Sequence, residues 1–288
     1  MPRTQFSRSG LLLSLFLPAL SCAGEVAAPG AASIAEALEA TGYDTAAYVA
    51  AEPLKRGTGI EAGFASWWQP EETRVSAERI VDLAIERFRA LGDRPSFTWI
   101  HLFDPHRPFD APEEYRARFQ GVEAEAQASY LERIGVSDSL VVENVPSEGG
   151  SAAADHDLYD GEVRYADDQL GRLFDELVRL GLWDDLVLVV TSDHGEGLWQ
   201  HRHLGHGHIW LETLHVPLLL RVPGLAPARH APRVETRDIL PTLAARIPAL
   251  AAALEGWPVV DSGRDALADG VIPRPYFSQV PSNRTPMT

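Results

Sequence analysis

The residues best suited to chemistry lie directly after the apolar run 186–190. Asp193 and His194 place a carboxylate oxygen beside an imidazole nitrogen, and both are donor types that proteins offer to divalent cations. Five of the ten histidines of the chain fall between residues 194 and 208. A solvated, histidine-rich loop is the alternative interpretation of such a cluster. The pattern therefore marks a candidate metal and anion site.

The position of this cluster in the chain favours a site over a solvated loop. A run of branched apolar residues that stops at Ser192 predicts a fully buried strand of an α/β sheet. Ligands of open α/β sheets bind beyond the carboxyl ends of the strands. Asp193 and His194 follow such an end directly.

A second apolar segment, residues 95–103, is followed by polar residues in the same way. Asp104 and His106 come next, interleaved with two prolines that prevent a helix there. His106 would be held beside the sheet edge and is a candidate active-site donor. A lone histidine in a turn is more often simply exposed, so this residue needs support from another part of the chain.

The remaining segments alternate between helix and strand. Ser33 and Glu36 form a capping box that opens a short helix. The pattern further predicts strands at 45–50 and 216–222, and helices at 76–91, at 163–180 and from 238. This alternation predicts one α/β sheet. Residues 111–155, rich in acidic and small side chains, predict an irregular insertion.

Composition narrows the classes of function. The chain has 288 residues, 45% of them hydrophobic and 23% charged, which suits a globular fold with a sizeable core. A formal net charge of −16 disfavours binding to nucleic acid. Cys22 is the only cysteine, so no internal disulfide framework exists. No apolar run reaches about 18 residues, so the sequence predicts no transmembrane helix.

The amino-terminal segment, residues 1–30, has the composition of a secretory signal. Arg3 and Arg8 precede an apolar core at residues 11–20, and small residues surround Cys22. On this interpretation the protein is extracytoplasmic, and Cys22 is a candidate for a lipid anchor.

Five segments resemble motifs of the sulfatase / alkaline phosphatase superfamily, and in particular bacterial sulfatase-like proteins. They follow the order of that family between about residues 30 and 245, at 33–49, 101–109 (HLFDPHRPF), 159–167 (YDGEVRYAD), 191–207 and 216–224. The resemblance implies a central, mostly parallel sheet with helices on both faces. It also implies a metal-dependent hydrolase whose substrate is a sulfate or phosphate ester of a small molecule, glycan or lipid.

The resemblance assigns roles to individual residues. Asp193 and His194 would be ligands of a divalent metal ion, for which Zn, Mn and Ca are the candidates; an imidazole ligand suits Zn²⁺ or Mn²⁺ better than Ca²⁺. His106 and His206 would contact the anionic oxygens of the ester or the leaving group, with His201 as a weaker candidate. The two other histidines of the cluster, His203 and His208, would be bystanders. The sequence says nothing about the oligomeric state.

Parts of the family pattern have no clear counterpart. The family takes acidic metal ligands from its first strand and its nucleophile from a Cys/Ser/Thr-x-Pro-x-Arg loop. The segment 4–8 resembles a degraded form of that loop, with Thr4 as nucleophile and Arg8 as its arginine. On this second interpretation of residues 1–30, the apolar core is the nucleophile helix of a chain without its first strand.

The resemblance leaves the activity open. Residues 31–288 would form one sulfatase-type domain that lacks the family's small carboxyl-terminal subdomain. Because no cysteine lies in the nucleophile context, formylglycine chemistry is disfavoured. The alternatives are a phosphoester hydrolase or phosphotransferase with a threonine nucleophile, and an inactive binding protein or gene fragment of the same fold.

Overall fold

A computed structural model describes residues 11–17, 33–122, 152–199, 201, 204–230, 232–255 and 265–268. Its centre is a six-stranded sheet with the order β3-β2-β4-β1-β5-β8. The strands of this sheet are β1 (Leu11–Leu17), β2 (Asp44–Tyr48), β3 (Ser66–Trp68), β4 (Ser96–His101), β5 (Leu186–Ser192) and β8 (Leu218–Arg221). Neighbouring strands are parallel except for the antiparallel pair β5–β8. The expected mostly parallel sheet is confirmed.

Helices cover both faces of the sheet, as expected. They are α1 (Ile34–Ala40), α2 (Ala77–Leu91), α3 (Glu113–Phe119), α4 (Ala152–Arg179), α5 (Leu211–Leu214), α6 (Ile239–Ala244) and α7 (Pro248–Ala253). One apolar cluster joins the sheet to α2 and α4 through residues such as Ile80 and Leu173. A second cluster packs α1, α6 and α7 against the sheet, with Leu38 and Leu243 among its buried side chains. Among the described residues, no helix is long and apolar enough to cross a membrane.

Local signals place several of these elements. Ser33 accepts the N–H of Glu36 at 3.1 Å, and the Glu36 carboxylate accepts the N–H of Ser33 at 2.7 Å, so the predicted capping box is confirmed. The helix α2 presents Ile80, Ala84 and Phe88 to the core at helical spacing. The predicted strands at 186–190 and 95–103 are also confirmed: β5 continues two residues further, to Ser192, and β4 ends at His101, three residues before Asp104.

The amino-terminal apolar segment forms a strand, and the expected nucleophile helix is wrong for residues 11–17. The strand β1 lies between β4 and β5 and is hydrogen-bonded to both. Leucine favours helices in isolation, but pairing on both sides in a sheet overrides that weak preference. The chain therefore has this strand at the centre of the sheet. Thr4, Arg8 and Cys22 lie outside the described residues, so their roles stay predictions, as does the secretory signal.

The irregular insertion predicted at 111–155 is helical at both of its ends. The helix α3 occupies Glu113–Phe119, and residues 152–155 belong to α4. Residues 123–151 lie outside the described residues. Helical ends follow from packing, because Tyr115 of α3 is buried and lies edge-on to Tyr165 of α4 at 5.1 Å between ring centroids.

Candidate active site

Asp193 and His194 emerge at the carboxyl end of β5, next to the sheet centre. The carboxylate of Asp193 accepts the backbone N–H of His194 at 3.0 Å. Burial raises the pKa of Asp193 above its ordinary value. The Nδ1 of His194 lies 2.7 Å from the carbonyl oxygen of Gly195, so Nδ1 carries the proton and donates it there. The other ring nitrogen, Nε2, is buried without a hydrogen-bond partner and keeps a lone pair available.

His206 joins this pair from the short hairpin formed by β6 (Gly197–Leu198) and β7 (Leu204–Gly205). Its ring stacks on the ring of His194 with 4.0 Å between the centroids. Its Nδ1 lies 3.4 Å from a carboxylate oxygen of Glu196, whose side chain is only 7% exposed. A buried carboxylate beside Nδ1 favours a proton on that nitrogen and orients the imidazole.

His106 approaches the same place from the segment after β4. Its ring centroid lies 5.4 Å from that of His206 and 4.3 Å from the stacked ring of Phe103. Its Nδ1 donates to the carbonyl oxygen of Arg107 at 2.6 Å, and Arg74 donates to the carbonyl oxygen of His106 at 3.1 Å. Burial lowers the pKa of His106, which favours the neutral ring. The ends of β4 and β5 and the β6–β7 hairpin thus bring three imidazoles together with the carboxylates of Asp193 and Glu196.

His201 lies apart from these three imidazoles. Its side chain is 49% exposed and pairs with Glu212 at 3.3 Å, and its ring lies 4.5 Å from the ring of Trp210. The ring of His208 also stacks on Trp210, at 4.4 Å. His203 lies outside the described residues. The weaker role of His201 in the site therefore stays a prediction.

Three further residues belong to the surroundings of the site. Glu196 follows His194 by two positions, a spacing that could have marked it as a partner. Burial raises the pKa of the Tyr159 hydroxyl to about 12, and the charge of Glu196 acts in the same direction. His101 is buried and accepts the N–H of Ala50 at 3.2 Å. Burial lowers its pKa to about 3, so His101 is a neutral support between β2 and β4.

Substitution of Gly195 by Ala is expected to destabilise the fold at the site itself. A Cβ there would lie 2.0 Å from the carbonyl oxygen of Glu212, a backbone atom that cannot rotate away. Overpacking of this kind costs typically about 1–3 kcal/mol, and it would also shift the adjacent His194. Denaturant unfolding followed by circular dichroism measures the loss. Gly207→Ala is the matched control, since its Cβ would meet nothing within 4 Å; equal loss of stability in the two variants would contradict the prediction.

The described residues supply only part of a metal site. Asp193 and His194 have suitable donor atoms, and the unpartnered Nε2 of His194 fits a ligand role. However, the described residues contain no group of three or more His, Cys, Asp or Glu side chains that could hold a metal. The strand β1 pairs Leu17 with Ser192, one residue before Asp193, and residues 11–17 include no acid. A complete site would need donors from outside the described residues.

The sequence of the chain is similar to those of known proteins. A family model described as Sulfatase matches residues 4–248. Among curated proteins, the chain is similar to the multifunctional alkaline phosphatase superfamily protein PehA of Trinickia caryophylli (28% identical, covering 56% of this chain and 35% of the relative). It is also similar to the choline-sulfatase of Rhizobium meliloti strain 1021 (26% identical, covering 52% and 31%).

Solved structures support the fold. The phosphonate monoester hydrolase of Agrobacterium radiobacter matches with a TM-score of 0.55 and 24% identity, covering 74% of this chain and 57% of that one. The putative sulfatase yidJ of Bacteroides fragilis matches with a TM-score of 0.56 and 17% identity, covering 80% and 56%. The chain spans about a third of the length of the two curated relatives.

Proposed function

The chain belongs to the sulfatase family, and we propose that it hydrolyses sulfate or phosphate esters. The observation that carries the proposal is the meeting of His194, His206 and His106 beside Asp193 at the carboxyl end of the central strands. Imidazoles in this position can neutralise the anionic oxygens of an ester and transfer a proton to its leaving group. The substrate class is an ester of a small molecule, glycan or lipid.

His106 and His206 would divide this work by their hydrogen bonds, whereas His194 would serve as a metal ligand. His106 donates its Nδ1 proton to a backbone carbonyl, so its Nε2 is left to accept a proton or, when charged, to donate to an ester oxygen. His206 is oriented by Glu196, so that its Nε2 could pass a proton to the departing oxygen. Thr4 and Arg8 remain our candidates for the nucleophile and its arginine.

A divalent ion is part of the proposal, because members of this superfamily are generally metal-dependent. Asp193 and His194 would hold it together with donors from outside the described residues. Bound there, a divalent cation would polarise the sulfuryl or phosphoryl group and stabilise charge that develops on its oxygens. Zn²⁺ and Mn²⁺ suit the imidazole donor better than Ca²⁺.

The direct test is turnover by the purified full chain. We expect hydrolysis of an aryl sulfate, an aryl phosphate or an aryl phosphate bis-ester, with bound metal found by elemental analysis. Asp193→Ala should lose metal and lower the rate to below about a hundredth. Asp167→Ala removes an exposed carboxylate of α4 and should behave as wild type. No bound metal, together with no turnover above that of Asp193→Ala, would exclude the enzyme.

A second function, ester binding without turnover, is favoured by one specific observation. The central strand β1, which pairs with β5 over Leu11–Leu17, contains no acidic residue. Asp193 and His194 are therefore the two candidate metal ligands among the described residues. Titration calorimetry with aryl sulfate separates the two functions. Binding that His106→Ala and His206→Ala abolish, without hydrolysis by any variant, would favour this second function.

An extracytoplasmic location also remains a proposal, with Cys22 as the candidate lipid anchor. Cleavage before Cys22 would remove β1 together with the signal-like segment. The mass of the mature protein, recovered from cells that express the full chain, decides whether residues 1–21 are retained.

A further inference from the structure

The long helix α4 contacts both segments that carry the imidazoles of the site. Near its amino terminus, the carboxylate of Asp155 accepts the indole N–H of Trp199 at 2.6 Å. At the next residue, the Nε2 of His156 donates to the carbonyl oxygen of Leu198 at 2.7 Å. These contacts hold the hairpin that carries His206. The other segment, residues 104–111, carries His106.

Glu162 of α4 holds the end of that second segment. Its side chain is almost fully buried, with 1% of the residue exposed. One carboxylate oxygen accepts the backbone N–H of Asp110 and also that of Ala111, the latter at 2.6 Å. Hydrogen bonds from backbone N–H groups to a carboxylate are stronger than those between neutral groups. Glu162 therefore fixes two consecutive peptide units in the fold.

The other contacts of the segment leave its position dependent on Glu162. Asp104 anchors the start by accepting the N–H of Ala77 at 2.9 Å, at the first residue of α2. Arg74 bonds the carbonyl oxygen of His106 and pairs with Asp110 at 2.6 Å, but the Asp110 side chain is 72% exposed and an exposed ion pair is weak. At the far end, Phe109 lies edge-on to Tyr159 of α4 with 5.9 Å between ring centroids, and Glu162 makes the buried hydrogen bonds.

We propose that Glu162 is a positioning residue of the candidate site, which holds the 104–111 segment so that His106 faces His206. Glu162 acts through the backbone and does not touch the reacting atoms. Loss of its oxygen would leave two N–H groups, one of them in buried Ala111, without their acceptor, and the segment would move to reach water. A small displacement of a catalytic group is enough to slow a reaction strongly.

Hydrogen exchange measured by mass spectrometry tests whether Glu162 holds the 104–111 segment in place, and it does not require an active enzyme. Glu162→Ala should speed exchange in peptides covering residues 104–119 by about tenfold or more, whereas Glu162→Gln keeps an acceptor oxygen and should stay close to wild type. Peptides covering β5 should not change in either variant. Asp167→Ala, on the exposed face of the same helix, is the matched control. Glu162→Met, of similar length but without an acceptor, replaces the Ala variant if that variant does not fold.

The expected change in kcat rests on the proposed function, and failure of the positioning role can be distinguished from failure of that function. We expect Glu162→Ala to lower kcat by about tenfold or more while KM changes less, with recovery in Glu162→Gln. If no variant hydrolyses any ester, the proposed function fails and the exchange result still decides whether Glu162 holds the segment. Unchanged exchange at 104–119 in the Ala or Met variant would overturn the proposal. Faster exchange combined with wild-type kcat would overturn it as well.

Discussion

Glu162→Gln is expected to abolish most of the loss of stability that the wild-type chain shows as the pH rises from about 4.5 to about 7. Burial raises the pKa of Glu162 from its usual 4.5 to about 7, and the nearby carboxylates of Asp104 and Asp110 act in the same direction. The two backbone N–H groups oppose this shift but do not cancel it. A glutamine at this position carries no charge at any pH and keeps the acceptor oxygen.

The sign follows from the protons bound by each state. Between the two pKa values the unfolded chain has released the proton of Glu162 while the folded chain still holds it, so rising pH favours unfolding. The stability contributed by the protonated group is complete below about pH 4.5 and gone above about pH 7. A shift of this size corresponds to at most about 3 kcal/mol of stability.

Urea unfolding at a series of pH values measures this difference. Wild type and Glu162→Gln should have similar free energies of unfolding near pH 4.5, and the variant should be the more stable one near pH 8. Burial also raises the pKa of Asp104, to about 6. This residue therefore adds a further loss of stability with rising pH, at a lower pH than the loss from Glu162. That loss should persist in Glu162→Gln and shrink in Asp104→Asn. Parallel curves for wild type and Glu162→Gln would show that Glu162 titrates normally.

The main elements of the fold could be predicted because their signals are local. The strand β5 begins with five apolar residues and β4 lies in a segment rich in apolar and aromatic residues, and polar residues of the site follow both segments, so each strand could be predicted together with its functional end. The segment 11–17 carries no such signal. Short apolar runs do not distinguish strand from helix by periodicity, and the preceding arginines matched a signal peptide. Only the pairing with β4 and β5 identifies it as a strand.

The site was predictable to the extent that its residues follow strand ends. Asp193, His194, His106 and His206 were candidates from motif and position, and the last three lie together in the fold. Glu162 and Glu196 were not candidates, because their roles depend on which backbone or imidazole is packed against them. A carboxylate in a helix pattern looks solvated until a second element covers it. Residues that support a site are therefore harder to predict than residues that form it.

Deletion of residues 1–24 is expected to abolish cooperative folding. The deletion removes β1, which occupies the centre of the sheet and pairs with β4 over Leu11–Phe16 and with β5 over Leu11–Leu17. Both neighbours would be left with unpaired backbone N–H and C=O groups inside the sheet, and each such group is costly when buried.

Circular dichroism and urea unfolding of two truncated chains test this expectation. A chain that starts at residue 25 should show no cooperative transition, whereas a chain that starts at residue 9 keeps β1 and should unfold cooperatively like the full chain. The secretory-signal interpretation makes the opposite prediction for the shorter chain, since a removed signal cannot be needed for the mature fold. A cooperative transition in the chain from residue 25 would therefore show that β1 is dispensable. Its absence, with a normal transition in the chain from residue 9, would establish residues 11–17 as the central strand on which the Asp193–His194 end of β5 is built.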